Sequence, residues 1–241
     1  MIILSQYREK NNMSRSRNRK EAQKAKTTAV TNPHRKVLQP KSINQENYII
    51  SMVENDVTIC TGPAGSGKSS VAVGLACSWL LDGKISKIII TRPTVEAGRG
   101  LGFLPGNKDE KIQPYLVPII EEMNAYLGRD MVKKLRDGDI IEMCPLEYMR
   151  GRNFHDCFMI LDEAQNATFE QIKMFITRIG IHSRAVINGD ADQSDLPMSI
   201  RGGLESVSHK LENLDGVGIC ELEASDIVRN KIIGRILERL K

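Results

Sequence analysis

The sequence predicts an α/β fold, a mostly parallel sheet with helices on both faces. Three observations predict it. Strand-like runs of four or five residues recur between helical apolar spacings from residue 44 onward, the alternation that crossover connections require. The run Phe158-Met-Ile-Leu161 is apolar at successive positions, as a strand buried on both faces must be. A glycine-rich turn, Gly62 to Ser69, stands between one such run and one such helical pattern.

The elements follow in order. Apolar residues at Tyr48, Ile49, Met52 and Val53 predict a helix over 44–53. Strands are predicted at Val57–Cys60, Lys87–Thr91, Ile140–Met143, Cys157–Leu161, Ala185–Asn188 and Gly218–Leu222. Helices are predicted at Ser69–Leu81, Tyr115–Leu127, Met131–Arg136, Thr168–Ile179, Gly203–Leu211 and Asp226–Leu240. The helix at Thr168 is the best specified. Thr168-Phe-Glu-Gln171 spells a capping box. Ile172, Phe175, Ile176 and Ile179 form one apolar stripe, and Gly180 is expected to end the helix.

Charge divides the chain. Residues 1–42 carry 11 Lys and Arg against 2 Asp and Glu, a balance of +9, whereas the remainder carries 23 against 28, or −5. The expected organisation is a basic, flexible tail over 1–42 and one ordered domain over 43–241. The tail reads either as an arm for nucleic acid or as a solvated segment that aids solubility. No apolar run reaches the length of a membrane span, and the apolar start is too short for a signal peptide. A cytoplasmic protein is expected, in a host's cytoplasm if the chain is viral. The five cysteines, Cys60, Cys77, Cys144, Cys157 and Cys220, form no C-x-x-C pair and read as reduced, mostly buried thiols.

The chemistry concentrates in four stretches. Gly62, Pro63, Ala64, Gly65, Ser66, Gly67, Lys68, Ser69 and the following Ser70 match G-x-x-x-x-G-K-S, a phosphate-binding loop. Glycines let the backbone bring N–H groups against phosphate, and the helix behind points its positive end at the same anion. Lys68 reaches the β and γ oxygens, and the Ser69 hydroxyl ligates Mg²⁺. The run Phe158–Leu161 ends in Asp162-Glu163, at the strand end where ligands of parallel sheets bind. Asp162 is placed to hold Mg²⁺ through water, and Glu163 to orient or deprotonate an attacking water. Gly189-Asp190-Ala191-Asp192-Gln193 follows the fifth run; it reads either as a γ-phosphate sensor or as a turn. Thr91-Arg92-Pro93 ends the second run, and the loop beyond it, with Arg99, Lys108 and Lys111, reads as a nucleic-acid contact or a solvated loop. Gln45, 17 residues before Gly62, could read an adenine edge with one donor and one acceptor; the spacing equally fits an ordinary Gln at a helix start. Arg150, Arg152, Arg178 and Arg229 have no role by pattern.

Together these motifs resemble the PhoH family of ATPases over roughly residues 40–240. The resemblance is carried by Thr61–Ser69, Thr91-Arg-Pro-Thr-Val-Glu-Ala-Gly98, Leu101-Gly-Phe-Leu-Pro-Gly106, Tyr148-Met-Arg-Gly-Arg152, Leu161-Asp-Glu-Ala-Gln-Asn-Ala-Thr168, Lys173–Arg178, Gly189–Gln193 and Ser225–Arg229. It implies a RecA-like P-loop NTPase similar to the first core of superfamily 1 helicases, with ATP and Mg²⁺ as ligands. It implies that Gln45 reads adenine, Gln193 senses the γ-phosphate, Arg92 lies where such helicases contact single strands, and Arg229 reaches the γ-phosphate. The PIN nuclease fused to some members has no counterpart here, and the single-domain form looks like those of bacteriophage genomes. Because superfamily 1 motors close two cores around ATP, one core implies a ring, a homo-hexamer with ATP at subunit interfaces and Arg150 or Arg152 acting in trans.

The expected function is an ATP hydrolase coupled to RNA or single-stranded DNA. Two other readings stand beside it: a small-molecule phosphotransferase, and a nucleotide-gated assembly protein with little turnover. The Asp-Glu pair and the Gly-Asp-x-x-Gln turn favour water as acceptor over a small-molecule hydroxyl.

Overall fold

The structure is a computed structural model that describes residues 36–93, 108–191, 193–196, 202–227 and 239. The elements are α1 (Ile43–Glu54), β1 (Val57–Thr61), α2 (Lys68–Leu81), β2 (Lys87–Arg92), α3 (Lys108–Leu127), α4 (Arg129–Asp137), β3 (Ile141–Pro145), β4 (Cys157–Leu161), α5 (Phe169–Ile176), β5 (Arg184–Gly189), α6 (Leu204–Leu211) and β6 (Val217–Glu221). Short 3-10 turns stand at Leu146–Met149, Ala164–Asn166 and Ala224–Asp226.

The strands form one six-stranded sheet in the order β3-β2-β4-β5-β1-β6, and every pairing is parallel. Side chains of a strand alternate between its faces, and the two cores show it. Cys60, Ile88, Ile90, Phe158, Ile160 and Val186 pack with α1 to α4 on one face. Ile59, Ile89, Met159, Leu161, Ala185 and Ile187 pack with α5 and α6 on the other. The central strands are therefore apolar on both sides, which is why no polar alternation marks them in the sequence. Trp79 of α2 meets Phe158 edge-on, with centroids 5.6 Å apart.

All six strands run the same way, so the loops after them share one edge. That edge carries the glycine turn after β1, Arg92 at the end of β2, Asp162-Glu163 after β4 and Asp190 after β5. Strand β5 lies between β1 and β4. Its C-terminal turn is thus held between the glycine loop and the acidic pair.

Element ends depart from expectation in one instructive place. The expected helix Thr168–Ile179 stops at Ile176, with the capping box at Thr168 intact. Gly180 does not terminate it. Ile179 is instead drawn into a parallel bridge with Phe154, and the Gly180 N–H donates to Phe154 O at 2.7 Å. Of the expected helix Asp226–Leu240, Asp226 closes a 3-10 turn, and nearly all the rest lies outside the described residues, as does the tail up to residue 35. The described residues begin along the domain: Leu38 packs against the core, and the Lys36 N–H donates to Ala125 O at 2.9 Å. Four cysteines are buried and Cys220 is half-buried; all five are free. Burial pushes the Cys77 and Cys157 thiols up to about 12, which leaves them unreactive.

At the β3 edge, Glu142 accepts hydrogen bonds from both Nη atoms of Arg152 and pairs with Lys87. Burial alone would raise this carboxyl, but the bonds from Arg152 and Lys87 outweigh it and hold it at about 2, below the ordinary 4.5. A depressed carboxylate contributes stability that is present above its unfolded pKa and lost as pH falls through its folded one. Glu142→Gln should therefore lower unfolding free energy by about 1.5–3 kcal/mol at pH 7. It should also flatten the loss of stability between pH 4.5 and about 2. Melting temperature against pH for both proteins checks this; identical acid limbs would remove Glu142 as a contributor.

Candidate nucleotide site

The glycine turn takes a backbone that glycines allow, with the Ser66 N–H on Pro63 O at 3.2 Å. Gly62, Gly65 and Gly67 take φ of 147°, 85° and 99°, a region that side chains disfavour. Space is closed as well. A Cβ on Gly62 would meet Leu222 O at 2.3 Å, and one on Gly67 would meet Gln45 Nε2 at 2.6 Å. Helix α2 starts at Lys68 with Gly67 as its cap and no side-chain cap bond. Its first-turn N–H groups therefore face the turn, the arrangement that binds anions. Within the turn Ser66 Oγ donates to Pro63 O at 2.8 Å. Lys68 Nζ donates to the carbonyls of Gly62 and Pro63.

Gln45 braces this turn from behind. It is buried in the first turn of α1, where Ser42 caps the helix. Its Nε2 donates to Ser66 O at 2.7 Å, and its Oε1 accepts from Lys41 N at 2.9 Å. One turn later, the Tyr48 hydroxyl donates to Asn188 Oδ1 at 2.6 Å. Burial pushes the Tyr48 phenol well up, so it remains a donor.

The acidic pair lies on the other side. Asp162 is 2 % exposed. Its Oδ1 accepts from Ser69 Oγ at 2.6 Å, and its Oδ2 accepts from Arg92 Nε at 3.0 Å and Nη2 at 2.5 Å. Glu163 stands in the left-handed region at φ 57°, an unusual conformation for a residue with a Cβ and one that clusters at functional positions. Its Oε2 accepts from Gln165 Nε2 at 2.7 Å, and its Oε1 lies 3.8 Å from Arg92 Nη2.

Between loop and acids stands the end of β5. Asp190 Oδ2 accepts from Ala64 N at 3.0 Å, and Asp190 N donates to Gln165 Oε1 at 3.0 Å. Gln193 follows with its N–H on Asp190 O at 3.2 Å. Asn188 is fully buried, and its Nδ2 has no partner.

These parts surround one cavity of about 530 Å³, whose wall includes Gln45, Ala64, Gly65, Gly67, Lys68, Ser69, Ser70, Asp162, Glu163, Asn188 and Gln193. The expected site residues of the described chain are thereby brought together, with Gly62, Pro63 and Ser66 completing the turn behind that wall. Others are not. Arg152 is bound to Glu142 at the far edge of the sheet, and Arg178 donates to the carbonyls of Met174 and Arg152. Arg150 is exposed. Arg229, Arg99 and the side chains of Lys108 and Lys111 lie outside the described residues. Gln165, Asp190, Asn188 and Tyr48 line or brace the site, and no sequence pattern singles any of them out. Only Gln165 and Asp190 carry a hint, by falling inside the motifs.

A parallel sheet with a glycine loop and helix at one strand end, an acidic pair two strands along and a polar turn between them defines a P-loop NTPase of RecA-like fold. Among solved structures, the large terminase of a thermophilic bacteriophage shares this fold, with a TM-score of 0.55 at 12% identity, over 84% of this chain and 51% of that one. Residues 37–241 match the family described as PhoH-like protein, and the chain belongs to that family. It is 45% identical over 203 residues to a PhoH-like protein of Bacillus subtilis, covering 84% of this chain and 64% of the relative. It is 36% identical over 195 residues to Protein PhoH of Escherichia coli K12, covering 80% and 55%. The chain spans less than two thirds of the length of these relatives. No described helix is long and apolar enough to cross a membrane.

Gly62→Ala should lower unfolding free energy by about 1–3 kcal/mol through backbone strain and the clash with Leu222. Urea denaturation measures it. Unchanged stability would mean that the segment after β6 gives way instead of holding the loop.

Proposed function

We propose that the protein is a Mg²⁺-dependent ATP hydrolase, coupled to RNA or single-stranded nucleic acid, that works as a ring of identical subunits. One observation carries the hydrolase reading: Ser69 Oγ and Asp162 Oδ1 meet at 2.6 Å beside Glu163, on the wall of the cavity that the glycine loop closes. This donor set fits Mg²⁺ bound jointly with phosphates, because that ion takes one or two carboxylates and keeps its remaining positions for water and phosphate oxygens. Among the described residues no cluster of three or more His, Cys, Asp or Glu offers an all-protein cage instead. The loop glycines fit a polyphosphate, since a Cβ would close the positions they leave open. The buried, unpartnered Nδ2 of Asn188 adds a spare donor on the wall.

Ser69 and Asp162 would hold Mg²⁺, which would supply charge neutralisation to the β and γ phosphate oxygens. Lys68, now on the carbonyls of Gly62 and Pro63, turns to those oxygens. Glu163 aligns the attacking water and takes its proton. Gln193, on the cavity wall, would sense a γ-phosphate oxygen, and Gln45 would read the base only by sharing the amide that braces Ser66.

The ring reading is supported by the single sheet among the described residues, since superfamily 1 motors close two cores around ATP. Arg150 supports a role in trans: it follows β3 on the same sheet edge, exposed and with no side-chain partner among the described residues. Arg152 is committed to Glu142. Both Asp162 oxygens accept bonds, from Ser69 and from Arg92, and each keeps a lone pair for a metal-bound water.

Glu163→Gln should retain ATP and lose about 10²–10⁴-fold in kcat, and Lys68→Ala should abolish hydrolysis. Phosphate release with and without RNA measures both; wild-type protein that releases none in either condition would favour the assembly reading. Deleting residues 1–35, which leaves Leu38 on the core and Ser42 at the cap of α1, should flatten the salt dependence of nucleic-acid binding, by about 0.7 in log–log slope for each single-strand phosphate that the tail neutralises. An unchanged slope would leave the tail a solvated segment.

A further inference from the structure

Gln165 has both ends of its amide in use, and each end holds a different part of the site. Nε2 donates to Glu163 Oε2 at 2.7 Å, and Oε1 accepts the Asp190 N–H at 3.0 Å. Asp190 in turn accepts the Ala64 N–H of the glycine loop at 3.0 Å. One unbroken line of hydrogen bonds thus runs from the Glu163 carboxylate, through Gln165 and the turn after β5, to the phosphate loop.

We propose that Gln165 is a positioning residue for hydrolysis: it fixes the direction of the Glu163 carboxylate and sets that direction by the position of the turn that carries Gln193. This rests on the water-orienting reading of Glu163 given above.

Three further observations carry it. Gln165 is 6 % exposed; its bond from Asp190 N is buried, and its bond to Glu163 is half-buried. Gly189 is the glycine that lets the two parts meet; a Cβ there would stand 3.0 Å from Gln165 N and 3.1 Å from Gln165 Oε1. The turn is docked on the same short 3-10 segment by neighbouring bonds. Ser194 Oγ donates to Gln165 O at 3.2 Å, and Asp195 N donates to Asn166 Oδ1 at 2.8 Å. Glu163 alone would have freedom to swing, since its side chain is 48% exposed. An amide that accepts from a backbone N–H can point its other end only one way, because donor and acceptor ends are not interchangeable. A shift of the Asp190 backbone therefore re-aims the carboxylate. Arg92, 3.8 Å from Glu163 Oε1, constrains the other oxygen only loosely.

The test uses two substitutions in the full chain. Gln165→Met keeps the volume and removes both bonds. Gln165→Glu keeps the acceptor for Asp190 N, removes the donor to Glu163 and adds a carboxylate that repels it, so it serves as the stronger disturbance of Glu163 if the first variant fails to fold. Loss of a bond that orients a reacting group costs about 10–100-fold, and that loss should fall on kcat. The affinity for a fluorescent ATP analogue with Mg²⁺ should stay within about threefold of wild type, since uniform binding is untouched. In a Glu163→Gln background either substitution should change the residual rate by less than about twofold, the non-additivity of residues acting as a unit. A wild-type kcat in the folded variants would overturn the proposal, as would a loss confined to nucleotide affinity or a full additional loss in the Glu163→Gln background. If Glu163→Gln itself turned over normally, the reading of Glu163 would fail first. A dead Glu163→Gln with an active Gln165→Glu would defeat the positioning role alone.

Discussion

A phosphate loop must keep its amides unspent. Those N–H groups are what phosphate binds, so internal bonds such as Ser66 N to Pro63 O at 3.2 Å cannot be how the whole turn is held. It has to be held by its carbonyls, by its side chains and from behind. The structure supplies each. Gln45 takes the Ser66 carbonyl, Ser66 Oγ takes the Pro63 carbonyl and Lys68 takes the carbonyls of Gly62 and Pro63. Leu222, after the last strand, walls off Gly62. The one amide drawn off to a side chain is Ala64 N, which goes to Asp190. Much of the remaining architecture follows from having to place those partners: α1 ahead of the loop for Gln45, β5 beside β1 for Asp190 and β6 on the outer side for Leu222.

The strand order then has a chemical consequence. Inserting β5 between β1 and β4 separates the loop from the acidic pair and fills the gap with a polar turn. Tyr48 reaches Asn188, in the last residues of β5, from α1, and Gln165 reaches the Asp190 N–H just beyond from the acidic side. This strand end is thus pinned from both faces of the sheet, by a phenol on the α1 face and an amide on the other. The left-handed backbone at Glu163 belongs to the same arrangement, since it starts the 3-10 turn that carries Gln165 back toward β5.

The fold is legible in the sequence because its strands are buried on both faces, and runs such as Phe158–Leu161 leave no competing reading. The phosphate loop and Asp162-Glu163 are legible because their chemistry is confined to adjacent residues. What stays hidden has one cause, partners that are distant in sequence. Nothing near Gln45 announces that its amide meets a backbone carbonyl 21 residues later. Arg150 and Arg152 are alike in sequence and separate only once β3 puts Glu142 against one of them. The end of α5 departs from its expected place for the same reason: the bridge from Ile179 to Phe154 outweighs a helical pattern that would otherwise run on to Gly180.

Arg92 shows how far such a distant contact reaches. Its position at the strand end suggests a residue turned outward to a bound strand, yet its guanidinium rests on Asp162, with Glu163 3.8 Å away. Two neighbouring carboxylates repel, and a cation held against them offsets that repulsion. A divalent cation at Asp162 would take over the same task and weaken the hold on Arg92. An anion drawing Arg92 outward would leave the carboxylates needing a cation. By linkage the two effects are equal in free energy and run in both directions. Were Asp162 to hold the metal as proposed, the same bond would make the end of β2 a place where a polyanion and a metal ion are felt together. No other protein element need move for that coupling, because one arginine touches both sides of it.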